Sequence, residues 1–254
     1  MIAAGGMGYF TSAYVNIRVI REVHGCMLPI EVFYAEKEMS KHIIDYMEST
    51  FKNVKFVDIQ RVPGAPDMSM KGYQIKIFSI LLSSFKEVLF LDADNMPLLD
   101  PTNVFDIKPY KKTGALFWPD FCNMISARLE MWDILGLERP AVWPSMNPGE
   151  VLKWTKDCKQ NFPFEFESGQ MLINKKKAWP GLVMTAFINK NNEFFQKRFI
   201  HGDKQTFSFG FNVSDTPYSF VRKHPIGIGR KQINNDDGKE FFRANTYVWS
   251  ATSY

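Results

Sequence analysis

Glu87-Val88-Leu89-Phe90-Leu91-Asp92-Ala93-Asp94-Asn95 is the stretch on which the reading of this chain turns. Val88 to Leu91 run without a polar interruption, the signature of a strand covered on both faces in a mostly parallel sheet. Two carboxylates one residue apart then leave it. Ligands of open α/β sheets gather outside the carboxyl ends of the strands, so Asp92 and Asp94 are expected at a ligand site. An Asp-x-Asp tripeptide recurs by chance about once in a chain of this length, and only its position gives it weight. At a strand end both side chains can reach one hard cation, Mn²⁺ or Mg²⁺, that keeps open positions for phosphate oxygens. A capped turn before Pro97 is the structural alternative.

Outward from this strand, short apolar runs alternate with helical patterns. The spacing predicts strands at Ile2 to Ala4, Leu28 to Ala35 and Val54 to Ile59, and helices over Ser12 to Val23 and about Lys37 to Phe51, a βαβαβ beginning. Gly5, Gly6 and Gly8 read as a turn between the first strand and its helix. A Pro/Gly loop, Arg61 to Met70, leads into a helix from Lys71 to Phe85, whose Ile77, Phe78, Leu81, Leu82 and Phe85 share a face. Further strands are predicted at Ala115 to Trp118 and Gln170 to Ile173. Helices follow near Ala178 to Asn189 and Lys204 to Phe211, then a tail without clear pattern. The Trp- and Pro-rich stretch from Asp120 to Pro163 reads as insertions around the sheet.

Composition narrows the function classes. There are 254 residues, 31 basic and 27 acidic side chains, 45% hydrophobic and 15% aromatic residues, so the chain is globular and one large domain is expected. A surplus of four positive charges is too small for a nucleic-acid footprint. Cys26, Cys122 and Cys158 are too far apart for a CxxC motif and read as buried thiols. No run of eighteen apolar residues marks a membrane span.

Two reactions use a carboxylate pair after a hydrophobic strand. In sugar transfer from a nucleotide diphosphate, a metal neutralises the charge growing on the leaving group. In haloacid-dehalogenase-like phosphohydrolases the first Asp, here Asp92, is the nucleophile. That second pattern wants Thr or Val two residues after the second Asp, where this chain has Met96, and it opens near the first strand of the fold. Sugar transfer is therefore preferred. A non-catalytic sugar- or nucleotide-binding protein is the third reading.

Leu28-Pro29-Ile30-Glu31-Val32-Phe33, Lys71-Gly72-Tyr73-Gln74-Ile75-Lys76, the Asp92-Ala93-Asp94 segment, Phe117-Trp118-Pro119-Asp120, Glu167-Ser168-Gly169-Gln170 and His201-Gly202-Asp203-Lys204-Gln205-Thr206-Phe207 occur in this order. Together they resemble the fungal Golgi α-mannosyltransferase family (α-1,2/α-1,3), from about Ile2 to Phe242. The resemblance implies an α/β GT-A glycosyltransferase fold, a Rossmann-like sheet flanked by helices. It implies one catalytic domain over 1–254, with a nucleotide-binding half (1–119) and a donor-sugar and acceptor half (120–254). It also implies GDP-mannose as donor, Mn²⁺, an oligosaccharide or glycoprotein acceptor, retention of configuration and a Golgi location through an anchor outside this chain. A UDP-sugar donor is the alternative, and a cytoplasmic location would follow if the chain were complete.

Individual residues carry their own expectations. Ala4, Gly5 and Tyr9 follow the first strand, where backbone can approach a nucleotide and Tyr9 can stack on a base. Lys71 and Lys76 stand at the start of a helix that favours the diphosphate, and Asp67 before it is a candidate for ribose or base. Asp92 and Ala93 border the donor, and Asp92 and Asp94 hold the metal, Asp94 the more directly. Ser168, Gly169 and Gln170 can bond sugar hydroxyls. A retaining transferase needs an oxygen at the anomeric carbon, for which Glu167 and Asp203 are alternatives. By resemblance Asp203 binds mannose hydroxyls and Lys204 lies near the reacting centre, whereas on physical grounds alone Asp203 would be an N-cap. Folds of this type take a third metal ligand, often His, from a later segment. A Phe-Leu-His-like run expected beyond Trp249 does not occur here, so His224 is the candidate. Trp132, Trp143, Trp154 and Trp179 are read as core ahead of an acceptor groove.

Overall fold

A computed structural model describes residues 2–3, 6–35, 39–66, 74–120, 127–139, 166–200, 202–221, 223, 225–233 and 240–248. Strands β1 (Ile2–Ala3), β2 (Ile30–Tyr34), β3 (Val54–Asp58), β4 (Glu87–Asp92), β5 (Ala115–Pro119), β6 (Phe166–Asn174) and β7 (Ser219–Phe220) form one sheet in the order β3-β2-β1-β4-β6-β5-β7. Neighbours are parallel except at β6, which runs antiparallel to both β4 and β5. The expected mostly parallel sheet is thus present with one strand reversed. Ala3 of β1 lies beside Asp92 of β4, so two parallel strands end together where the acidic segment begins.

Helices α1 (Gly6–Arg18) and α2 (Lys41–Thr50) cover one face through Ile17, Met47, Val32, Phe56 and Leu91. On the other face lie α3 (Gln74–Leu82), α6 (Trp179–Lys190) and α8 (Lys204–Val213), over Phe90, Phe117, Phe166 and Met171. The uninterrupted Val88 to Leu91 run is explained by this cover on both sides. Phe117 anchors the second layer, its ring 4.6 Å from Phe166 and 5.0 Å from Phe211. Each such buried Phe contributes about 1.5–3 kcal/mol of hydrophobic stabilisation. Between α6 and α8 a side chain at Gly181 would strike the Phe211 ring at 2.8 Å, and one at Gly210 would meet Thr185 Oγ1 at 2.2 Å. Glycine is what lets these two helices touch. Short helices α4 (Lys108–Thr113), α5 (Glu130–Ile134) and α7 (Asn192–Arg198) complete the described layers.

Several boundaries differ from the sequence reading. The first helix begins at Gly6, so the expected glycine turn is largely its first turns, and it ends in a π-helical turn at Val19–Val23. Gly25, at φ +65°, then reverses the chain. The tail read as unpatterned forms a two-stranded antiparallel ribbon, β8 (Ile226–Ile233) with β9 (Glu240–Val248). Cys26 is a buried free thiol, as expected, and Cys122 and Cys158 lie outside the described residues. Among the described residues no helix is long and apolar enough to cross a membrane.

Candidate active site

Lys76 is the hub. It sits on the third position of α3 and is only 8% exposed, because α3 packs its own length against the sheet and points the side chain along Phe90 toward the end of β4. The ammonium lies 2.8 Å from Asp92 Oδ2 and 3.3 Å from Asp203 Oδ2. It also donates to Ser168 Oγ at 2.9 Å and to the Ser168 carbonyl at 3.3 Å. Four parts of the chain more than 90 positions apart at their extremes therefore meet at one charge. Burial opposes the charge on Lys76, but Asp203, Asp92 and Glu167 outweigh it and hold its pKa above the ordinary lysine value.

The carboxylates around it outnumber the cations. Burial pushes the Asp92 carboxyl up to about 6 against the pull of Lys76, with Asp203 and Asp94 adding to the rise. Burial likewise raises Glu167 to about 7, opposed by its bond from the Gly169 amide (2.6 Å) and favoured by Asp120. Asp203 occupies the N-cap position of α8, yet its side chain makes no cap bond. Its Oδ2 is buried and faces Lys76 without a hydrogen bond among the described residues. Asp120, 1% exposed at the end of β5, pairs with Lys204, the first residue of α8.

The Ser168-Gly169-Gln170 segment owes its shape to a bulge. Between the pairs Leu116↔Leu172 and Trp118↔Glu167, β5 advances two positions while β6 advances five. The extra backbone falls on this segment and turns Ser168 to Lys76. A side chain at Gly169 would lie 2.6 Å from Asn95 Nδ2 and 2.9 Å from Glu167 Oε1, so glycine lets β6 and the acidic segment close on each other without displacing either side chain. Asn16 of α1 in turn donates to the Asn95 carbonyl at 2.8 Å and pins the chain just after Asp94.

Asp94 is exposed and makes no hydrogen bond or ion pair among the described residues. Among the described residues no group of three His, Cys, Asp or Glu side chains is placed to hold a metal ion. What they do offer is two hard carboxylate donors at the ligand end of the sheet, which suits a divalent cation whose remaining positions go to phosphate and water oxygens.

The mannosyltransferase family model matches residues 1–249. The chain belongs to this mannosyltransferase family. It is 31% identical over 267 aligned residues to the Alpha-1,2-mannosyltransferase MNN2 of Saccharomyces cerevisiae, covering 93% of this chain and 43% of that protein. It is 28% identical to Alpha-1,2-mannosyltransferase MNN24 of Candida albicans, covering 97% and 37%. The family member described here thus spans about two fifths of the length of these curated relatives. Among solved structures, the glycosyltransferase GlyE of Streptococcus pneumoniae superposes with TM-score 0.52 at 14% identity, over 87% of this chain and 44% of that one. The bifunctional glycosyltransferase WbbM gives 0.51 at 16%, over 87% and 38%. The fold is GT-A, as the motifs implied.

Within this mannosyltransferase-family chain, the expected Lys76, Asp92, Glu167, Ser168, Gly169 and Asp203 come together, and Ala93 is buried beside them. Lys204 joins through Asp120. Gln170 pairs with Leu91 across β4 and β6, its Nε2 buried without a hydrogen bond among the described residues. Tyr9 does not sit in a turn: it rides on α1, 60% exposed. Ala4, Gly5, Asp67, Lys71 and His224 lie outside the described residues, as do Trp143 and Trp154. Trp132 packs edge-on to Phe209 at 4.8 Å, in the core as expected, whereas Trp179 is exposed. Lys76, expected at a helix start facing the diphosphate, is buried among carboxylates. Asp203 does stand at the N-cap position, but its side chain makes no cap bond and faces Lys76 instead. Asp120 and Asn16 were missed, and only Asp120 carried a signal, as the polar residue closing the apolar run Ala115 to Pro119.

Proposed function

We propose that this chain is the catalytic domain of a retaining α-mannosyltransferase that takes GDP-mannose as donor and a glycan or glycoprotein as acceptor. The observation that carries the reading is the convergence of Asp92, Asp203 and Ser168 on the Lys76 ammonium at the carboxyl ends of β1 and β4, in a chain of the mannosyltransferase family. Asp92 and Asp94 would hold Mn²⁺, which supplies positive charge for the leaving diphosphate. Lys76 sits between that carboxylate and the sugar side, and its ammonium, 3.3 Å from Asp203 Oδ2, orients that side chain, whose buried oxygen has no hydrogen bond among the described residues. Asp203 and Glu167 then provide the oxygens that a positively charged, oxocarbenium-like centre requires on one face. Asp120 holds Lys204 at the start of α8, next to Asp203. Residues 1–119 form the nucleotide half and 120–254 the sugar and acceptor half. A Golgi location is part of this reading.

The test is transfer of mannose from GDP-mannose to mannoside acceptors with Mn²⁺ or EDTA, for the wild type and Asp94→Asn. Asp94 is exposed and unbonded among the described residues, so its loss is expected to cut transfer by at least about 100-fold, the scale of an electrostatic catalytic contact, while the metal-free Tm holds. Near-normal Mn²⁺-dependent transfer by that variant overturns the metal assignment. Transfer from a UDP-sugar alone would replace the donor and keep the mechanism. Donor binding without transfer or hydrolysis would indicate a binding protein, and phosphate release from simple phosphomonoesters the phosphohydrolase reading.

A further inference from the structure

Away from the carboxylates, one buried amide uses its polar atoms in a way that reaches both sides of the site. Asn189, near the end of α6, is fully buried. Its Nδ2 donates to the Thr185 carbonyl at 2.9 Å and to Thr206 Oγ1 at 2.7 Å. Its Oδ1 accepts from Gln196 Nε2 of α7 at 3.0 Å, and its backbone carbonyl accepts from Gln74 Nε2 at 2.8 Å. Thr206 passes the chain on, its hydroxyl donating to the Asp203 carbonyl at 2.5 Å and its amide to the same oxygen at 2.9 Å. Gln74 stands two residues before Lys76 on α3, and Thr206 three residues after Asp203 on α8. Both partners of the 3.3 Å Lys76 to Asp203 pair are therefore tied to the same residue, the Lys76 helix through the Asn189 backbone carbonyl and Asp203 through the Asn189 side chain and Thr206.

The platform under this hub is rigid. Gly181 and Gly210 let α6 and α8 pack so closely that an added side chain would strike Phe211 or Thr185, and networks in a low-dielectric interior resist partial breakage because each freed polar group loses its solvation. Asp203 needs such outside support. At the N-cap its side chain would ordinarily bond to its own helix, and here it is released to face Lys76 while Thr206 and Asn189 hold its backbone.

We propose that Asn189 and Thr206 are positioning residues for sugar transfer, setting the separation of Lys76 and Asp203 and hence the alignment of the diphosphate and sugar sides of the site. This rests on the function proposed for that site. Thr206 holds only the Asp203 backbone carbonyl and neither residue bonds to a carboxylate, so the effect is mechanical, and a displacement of about 1 Å in such a geometry costs up to about 100-fold in rate.

The experiment compares Thr206→Val, which keeps the shape and removes the hydroxyl, with Thr206→Ser, which keeps the hydroxyl. Measured are kcat and KM for GDP-mannose, GDP affinity by calorimetry, and Tm. Thr206→Val is expected to lower kcat by about 10- to 100-fold with GDP affinity within about threefold of wild type, and Thr206→Ser to recover most of the rate. A merely structural role would lower Tm and leave kcat per folded molecule unchanged, and that result overturns the inference. So does an equal loss in both variants. If Thr206→Val fails to fold, Gln196→Met takes its place, since Gln196 is half-buried and loss of its amide removes the donor to Asn189 Oδ1 without altering α8. A several-fold kcat loss supports the inference and a wild-type kcat overturns it. Asp203→Asn is run alongside: full transfer by that variant refutes the site reading itself, whereas its loss together with a fully active Thr206→Val refutes only the positioning role.

Discussion

Replacing Lys76 by Met should expose how strongly the cluster depends on its buried cation. At 2.8 Å from Asp92 and 3.3 Å from Asp203, and with an effective dielectric constant of about 20, the two attractions come to about 6 and about 5 kcal/mol. Most of that is offset by the cost of taking the ammonium and carboxylates out of water, several kcal/mol for each ion. What the variant feels is the carboxylates left behind. Breaking a buried pair by removing one partner costs about 3–5 kcal/mol. At about 2–4 °C per kcal/mol for a domain of this size, the metal-free Tm should fall by about 10 °C. The assay is calorimetric unfolding in EDTA and in Mn²⁺, at pH 5 and pH 7.5. Asp92, whose carboxyl burial already raises to about 6 against the pull of Lys76, loses that pull, so its protonation at pH 5 and Mn²⁺ at pH 7.5 should each restore more stability to the variant than to the wild type. Adding Asp203→Asn to Lys76→Met should recover part of the loss, a non-additive result expected of groups in contact. A metal-free Tm within about 2 °C of wild type, with no added benefit from Mn²⁺, would show that Lys76 does not bear this charge, since even 1 kcal/mol moves Tm by that much.

Gly169→Ala should damage the site more than the fold, because the new methyl group falls 2.6 Å from Asn95 Nδ2 and 2.9 Å from Glu167 Oε1. Overpacking of this kind costs about 1–3 kcal/mol, and the donor KM should rise as the acidic segment shifts; unchanged donor binding by calorimetry contradicts the close-approach argument. Glu167 gives a pH signature. Its carboxyl keeps a proton to about 7 in the folded protein and releases it near 4.5 when unfolded, so its contribution to metal-free stability is complete below 4.5 and is lost as pH rises through about 7. Glu167→Gln should flatten the decline in Tm between pH 5 and 7.5, and an unaltered slope would mean that Glu167 ionises normally.

The site was legible in the sequence where chemistry is local. Asp92 and Asp94 were legible from their position at the end of an uninterrupted apolar strand, and Glu167-Ser168-Gly169-Gln170 from polar residues and a glycine just before another. Lys76 was legible as a residue of interest but not as a buried one. A lysine at a helix start looks the same in sequence whether it meets water or three acidic side chains. Asp120 looked like the end of a strand, and Asn189 like the end of a helix, since nothing nearby in the chain hints at Lys204 or Thr206.

By itself the sequence determined the alternation of strands and helices, the doubly covered β4 and the position of its acidic end, because periodicity and burial are written in neighbouring residues. It also bore the ordered motifs that mark the mannosyltransferase family. Only the tertiary structure decided that β6 runs against its neighbours, since an apolar strand reads alike in either direction. The ribbon of β8 and β9 was likewise undecided, with Ile226-Gly227-Ile228-Gly229 alternating too sparsely to stand out. Above all, the meeting of Lys76, Asp92, Ser168 and Asp203 belongs to the fold. Their attraction depends on distances of about 3 Å in a dry interior, and no spacing along the chain encodes a distance across it.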